Sequence, residues 1–304
     1  MAFRVALGDA DLSSAMRRIA AEEVVRAEAE AADPALSIEQ RIHQARKRTK
    51  RLRGLLRLLR PAFPDYAREA KGLRHAARGL SRLRDRDVMI ATHDTLIAET
   101  GADRRRHAPV RAHLTRARNR IAAHSDPEGA LATYLAEMRA LGARIPGWHL
   151  EGKDRAILRA GLARTWERAR KAMTEAQETG EIEPLHDWRK RVKDHWYQAR
   201  LLAPLDPARI KTQAKAAGAL GEILGDVHDL DVYRLHLGGP EATGLNPERR
   251  AELTALADAR IAGLERQAFA KGAGLFAQSP EDLAAEWAAA WKAWRKSAPQ
   301  TEAA

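Results

Sequence analysis

One stretch of nineteen residues occurs twice in this 304-residue chain, and that duplication constrains the fold more than any other feature. Residues 43–61 and 186–204, aligned at a constant offset of 143, share nine identities. These are His43/His186, Arg46/Arg189, Lys47/Lys190, Arg48/Arg191, Lys50/Lys193, Arg57/Arg200, Leu58/Leu201, Leu59/Leu202 and Pro61/Pro204. A second match follows at offset 144: Lys71/Lys215, Leu80/Leu224, Asp85/Asp229, Asp87/Asp231 and Val88/Val232. Two ordered matches at nearly one offset indicate internal duplication. The chain is expected to fold as two similar halves, residues 1–147 and 148–304, related by a pseudo-two-fold axis. The stretch from Arg144 to Asp154, with Pro146, Gly147 and Gly152, is the expected boundary, and a second loop is expected from Gly238 to Pro247.

Both halves read as helix. Apolar residues recur with helical periodicity, and no run alternates long enough to argue for a sheet. Ala, Leu, Arg and Glu abound and only 15 residues are aromatic, which favours helix over strand. The thirteen prolines are expected to cut this pattern into ten to twelve helices. The absence of cysteine excludes disulfides, thiolate metal sites and a cysteine nucleophile. No window approaches 18 uncharged apolar residues, and the N-terminus has no signal-like apolar run, so the expected location is the cytoplasm and no membrane partner is expected.

The charge sits on the repeat. Residues 41–60 hold nine Arg or Lys and no acid, and residues 186–200 hold five against two acids. Together they account for the whole net charge of +12. At 100° per residue, His43, Arg46, Lys47, Lys50 and Arg57 fall within about 100° of one another, opposite Leu52, Leu55, Leu56 and Leu59. His186, Arg189, Lys190, Lys193 and Arg200 cluster in the same way, opposite Trp188, Ala199 and Leu202. Like charges at i,i+3 and i,i+4 each cost about 0.2–0.5 kcal/mol. A solvated helix face normally mixes signs, so a stripe of one sign points to a polyanionic ligand. Lys71, Arg74, Arg78 and Arg82 form a further stripe after the first repeat, of which Arg74 and Arg78 are taken as flanking contacts, with a solvated face as the other reading.

These residues resemble the CHAD family, the conserved histidine α-helical domain. The resemblance rests on the two His-x-x-Arg-Lys-Arg-x-Lys motifs, on Leu83-Arg84-Asp85-Arg86-Asp87-Val88, and on Asp226-Val227-His228-Asp229-Leu230-Asp231-Val232. It also includes the segment 161–170, with Trp166 where Tyr is expected, and extends over about residues 5 to 297. The resemblance implies an all-α protein of two four-helix-bundle-like halves around a basic central groove or pore. It further implies binding of inorganic polyphosphate, often at polyphosphate granules, without catalysis and without a cofactor. Some relatives carry a CYTH triphosphatase domain; its Glu-x-Glu-x-Lys signature is missing, since Glu181-Ile182-Glu183-Pro184-Leu185 ends in Leu, and a domain without CYTH is expected. The second copy departs from the first: Asp194, Trp196 and Tyr197 replace Arg51, Arg53 and Gly54.

The binding set expected from these patterns is His43, Arg46, Lys47, Lys50, Arg53, Arg57, Arg74, Arg78, His186, Arg189, Lys190, Lys193 and Arg200. His43 and His186 read as anion donors that gain charge as phosphate approaches, or else as structural histidines. Neither has a histidine or carboxylate at i+3 or i+4, and surrounding cations oppose a metal, so no metal site is expected. Asp85, Asp87, Asp229 and Asp231 read as helix N-caps and first-turn acids, or as partners that orient the arginines of the basic helices. Trp287, Trp291 and Trp294 read as packing. No phosphate-binding Gly-rich loop, Gly-x-Ser-x-Gly or His-Glu-x-x-His occurs, and no enzyme activity is expected. The competing reading is a nucleic-acid-binding basic helical protein, and a phosphohydrolase ranks below it. Against nucleic acid, the first stripe interleaves no aromatic platform.

Overall fold

Ten α-helices follow one another through the chain, and local sequence sets most of their ends. They are α1 (Leu12–Ala32), α2 (Ile38–Leu59), α3 (Tyr66–Thr100), α4 (Arg104–Ala123), α5 (Pro127–Arg144), α6 (Asp154–Thr179), α7 (Ile182–Leu202), α8 (Pro207–Gly238), α9 (Pro247–Leu275) and α10 (Pro280–Lys296). The structure, a computed structural model, describes residues 3–297, except for the side chains of residues 81–86. No strand occurs among the described residues. Ser37 and Gln40 form a reciprocal capping box at the start of α2. Asp206, Asn246 and Ser279 cap helices that begin with proline, where a missing N–H costs nothing. Gly101 and Gly180, with φ of 67° and 65°, end α3 and α6 in the left-handed conformation.

Both predicted loops are found: α5 ends at Arg144 and α6 begins at Asp154, while α8 ends at Gly238 and α9 begins at Pro247. Two prolines do not cut a helix as expected. Pro184 lies in the first turn of α7, where its missing donor has no intrahelical partner, and Pro109 lies inside α4.

Helix starts repeat through the chain. Those of α1–α4 precede those of α6–α9 by 141–144 residues. For α5 and α10 the separation is 153, mainly because α9 has 29 residues where α4 has 20. Each half thus has five helices, not four. In the first, α1, α2, α3 and α5 close a ring and α4 lies against α3. In the second, α6, α7, α8 and α9 close a ring and α10 lies against α6. Trp287 and Trp291 of α10 are buried, as packing residues should be.

The halves share one apolar core. α2 packs on α7 and α6, and α3 packs on α8 and α9. At the first junction, a Cβ on Gly161 would strike the carbonyl oxygen of Leu58, so only glycine allows α6 so close to α2. At the second, buried His93 of α3 and Tyr233 of α8 share a 2.7 Å hydrogen bond. The segment before α1 crosses between halves, its Val5 N–H donating to the Leu201 carbonyl at 3.1 Å. Arg295 of α10 then donates to the carbonyls of Leu7, Asp9 and Ala10.

Candidate anion-binding site

α2 is fastened on three sides. Its apolar stripe, including Leu52, Leu55, Leu56 and Leu59, is buried opposite the cations, as the helical wheel requires. The flank facing α1 is held by acids that sequence reasoning did not connect to the stripe. Glu23, fully buried, accepts from Arg48 at 3.0 Å and Arg51 at 3.1 Å, and Glu30 accepts from Arg48. The inference from a stripe of one sign to a polyanionic ligand is therefore narrowed, because part of that charge is compensated within the protein. Arg48 and Arg51 are structural counterions of α1, and Arg41 pairs with Glu128 of α5.

The flank facing α3 is crowded with cations. Arg53 is half-buried near Arg57 and Arg74, and burial together with both neighbours holds its guanidinium below the usual arginine range. Arg74 and Arg78 are exposed on α3. Between the two flanks, His43 and Lys50 are exposed while Arg46 and Lys47 are half-buried. Lys47 reaches Gln44 at 3.4 Å.

On α7 the second stripe lies across a bed of glycines on α8. A Cβ built on Gly218 would stand 3.1 Å from the Trp196 indole nitrogen, one on Gly221 3.0 Å from Lys193 Cε, and one on Gly225 3.8 Å from Arg189 Nε. Arg189, Lys193 and Trp196, on successive turns of α7, lie against α8 there, and the approach is tight at Gly218 and Gly221 and an ordinary contact at Gly225. The bed ends at His228, whose Nδ1 stands 3.0 Å from Nε2 of His186, and at buried Asp231, 3.6 Å from the same nitrogen. Burial pushes the His186 pKa down; Asp231 opposes this, and Lys190 and Arg189 add to it. Lys193 is likewise lowered by burial first and Arg189 second, against Glu222 and Asp226 of α8. Lys190 is exposed.

The aspartates are not helix caps, which corrects that expectation. Asp87 lies within α3, and Asp229 and Asp231 lie within α8, far from either N-terminus. Asp231 accepts from Arg234 at 2.7 Å, and Asp87 stands 3.6 Å from Arg118, so the arginines these two meet lie on α8 and α4, outside the basic helices. The reading of Asp85 falls on a side chain outside the described residues. Among the described residues no group of three or more His, Asp or Glu is placed to hold a metal ion.

Where α2 meets α7, the copies are matched by difference. A Cβ on Gly54 would stand 2.7 Å from Cβ of Tyr197, its own counterpart. Arg57 donates to Asp194, which also takes Arg191 at 3.2 Å and is 3% exposed. Arg51 and Arg200 are near enough for Arg51 to lower the Arg200 pKa, after burial. Arg57 and Arg200, both assigned to the stripes from sequence, therefore sit at this junction: Arg57 in an ion pair, Arg200 over the Trp196 ring at 4.6 Å. The junction brings together two helices that together carry +9 of the net charge of +12.

Comparison with known proteins agrees with this architecture. Among solved structures, the chain is similar to the CHAD domain from the plant Ricinus communis, with a TM-score of 0.58 and 21% identity over 84% of this chain and 92% of that one. No curated protein sequence matches. The CHAD domain model matches residues 18–238, well over half of the chain and inclusive of both histidine motifs. The chain belongs to the CHAD domain family.

Proposed function

We propose that this protein binds inorganic polyphosphate through the cationic faces of α2 and α7, as a binding module without catalysis, at polyphosphate granules in the cytoplasm. The observation that carries this reading is the concentration of positive charge on the repeat: residues 41–60 and 186–200 sum to +12, equal to the net charge of the whole chain, and the helices that bear them pack against each other. Lys and Arg are charge-assisted donors to phosphate oxygens, and Arg donates in a fixed fork. A phosphate chain engages many such donors at once, so weak contacts multiply. His43, Arg46, Lys47, Lys50 and Arg53 supply the first face, with Arg74 and Arg78 beside it. His186, Arg189, Lys190 and Lys193 supply the second. Among the described residues no helix is long and apolar enough to cross a membrane.

Nucleic acid is the competing polyanion, and Trp196 is the aromatic in the second stripe that bears on it. Its ring is already flanked by Lys193 at 5.4 Å and Arg200 at 4.6 Å and rests on Gly218, which leaves a poor platform for base stacking. Direct titration separates the two readings. Long-chain polyphosphate should outcompete random single-stranded DNA of equal charge, and its affinity should fall log-linearly with salt at about 0.7 per phosphate engaged. A salt-independent affinity, or preference for DNA, would overturn the proposal.

A further inference from the structure

Outside the two motif copies the charges of the chain sum to zero, but they are not evenly spread. Helix α4 holds seven arginines and no acid, the same +7 as α2 with eight basic residues against Glu39. The duplication does not carry this charge: α9, its counterpart in helix order, has five basic residues against four acids. Nor does helix formation favour it. Arg104, Arg105 and Arg106 stand in the first turn of α4 with no acid in that turn, where the helix dipole disfavours cations. Three of the seven are engaged by neighbouring helices. Arg106 donates to Glu252 at 2.8 Å, Arg111 donates to Asp94 at 2.7 Å, and Arg118 stands 3.6 Å from Asp87. Among the described residues Arg105, Arg116 and Arg120 pair with no carboxylate, and all three are exposed.

α4 lies outside the ring of its half and buries a single stripe, His107, Val110, Leu114 and Ala117. Arg105, Arg116 and Arg120 fall within about 60° of one another on the side away from that stripe. Arg118, which lies near Asp87 of α3 and Glu39 at the start of α2, is about 140–160° around the helix from them. The three unpaired arginines therefore face away from the cationic stripe of α2. Along the axis this face has two charged ends. Arg105 stands beside Arg104 at the N-terminus, Arg116 follows about 16 Å further on, and Arg120 comes one turn later. Between the ends lie exposed Ala108, Pro109 and Ala112, which add no charge and little bulk.

That pattern selects a ligand. The face has no large apolar or aromatic side chain, so it lacks the anchors of a protein interface and the apolar surface of a membrane-bound helix. It offers no ring on which unpaired bases could stack. A duplex needs none of these, because arginines on its backbone give affinity by releasing counterions. The major groove of B-form DNA is about 12 Å wide, so the phosphate strands on its two sides match two arginine clusters about 16 Å apart, with small neutral residues over the opening. We propose that the outward face of α4 docks duplex DNA through its phosphate backbone, without reading its sequence. This surface uses other residues on another helix and stands independently of the polyphosphate reading.

Fluorescence anisotropy of the full chain with a short labelled duplex of random sequence tests it. Two variants lose the same charge in different places: Arg105→Gln/Arg116→Gln/Arg120→Gln on α4, and Arg46→Gln/Lys47→Gln/Lys50→Gln on α2. The three α4 arginines stabilise no carboxylate, so the thermal midpoint of the first variant should not fall. Wild type should bind the duplex more tightly than a single strand of equal length. The α4 variant should lose about tenfold or more in duplex affinity, and its salt slope should fall by about 2 to 3, at about 0.9 per phosphate contact. The α2 variant should stay within about threefold of wild type. No duplex binding by wild type, an equal loss in both variants, or equal affinity for the single strand would overturn the proposal. So would an α4 variant that keeps its duplex affinity and instead loses sedimentation with phosphatidylserine vesicles, which would make this face a membrane contact.

Discussion

Replacing Asp194 by Asn tests whether the two copies are joined through charge. Asp194 is 3% exposed and accepts from Arg57 of α2 and from Arg191 of its own helix, with Arg53 nearby. Asn keeps the shape and removes the charge, leaving two guanidiniums without their carboxylate. Breaking a buried pair on one side costs about 3–5 kcal/mol. The Arg57 side chain keeps 22% exposure and can recover some hydration, which argues for the lower end, about 3 kcal/mol. In a chain of 304 residues, at about 2.1 cal/mol/K of unfolding entropy per residue, that lowers the thermal midpoint by about 5 °C. Urea unfolding and calorimetry of the variant measure it. Arg57→Met on the Asp194→Asn background removes one orphaned cation and should recover a substantial part of the loss. A cost below about 1 kcal/mol, or a double variant worse than the single, would show that Asp194 is not the counterion the junction depends on.

Gly221→Val would place methyl groups where Lys193 Cε now lies, 3.0 Å from the Cβ position, and should lift Lys193 from its bed. The salt slope of polyphosphate binding should then fall by about 0.7, one contact. Stability should decline as pH falls below 6.5, because burial holds His93 at about 4 and His195 at about 3. Lowered folded pKa values mean that the unfolded chain takes up protons first, so each histidine withdraws up to about 3 kcal/mol between pH 6.5 and 4. His195→Leu should flatten the acid limb of a pH–midpoint curve. Polyphosphate binding at pH 7 should take up protons, since an anion beside His186 opposes the burial, Lys190 and Arg189 that keep its pKa low. Calorimetry in buffers of different ionisation enthalpy reads the uptake, and His186→Gln should reduce it.

Much of the fold was legible because its signals are local. Asp206 before Pro207, Ser279 before Pro280, and the loops at 144–154 and 238–247 need no knowledge of the partner helix. The face carrying His43, Arg46, Lys47 and Lys50 was legible for the same reason. Pairings between helices were not. Glu23 is 25 residues from Arg48, and the register of α1 on α2, which decides their meeting, is set by the whole core. Asp194 read as a blemish in a cationic motif until Arg57 was placed opposite it. One missed feature did leave a trace: Gly218, Gly221 and Gly225 fall within about 60° on a helical wheel. That row of glycines beside a basic helix was readable as a bed for long side chains.

The two copies differ where identical copies would conflict, and the differences rank their contributions to binding. An Arg at 194 would face Arg57 with like charge, and a second bulky residue at 54 would collide with Tyr197. The second copy instead supplies Asp194 as counterion and Tyr197 as filler, while Trp196 replaces a cation and settles between Lys193 and Arg200. α8 adds Glu222 and Asp226 beside Lys193 and Asp231 beside His186, so the second stripe is partly compensated. On α2 the carboxylates of α1 meet Arg48 and Arg51 on the flank. Reversing Arg46, Lys47 and Lys50 to Glu should therefore lower polyphosphate affinity more than reversing Arg189, Lys190 and Lys193. The first triple should reduce the salt slope by about 2, three contacts at 0.7 each, and the second by less. Both triples lie opposite the buried apolar stripes, so the helical circular dichroism should be unchanged. Equal losses from the two triples would mean that the α8 acids do not screen the second stripe, and full affinity with both reversed would place the polyanion elsewhere on the protein.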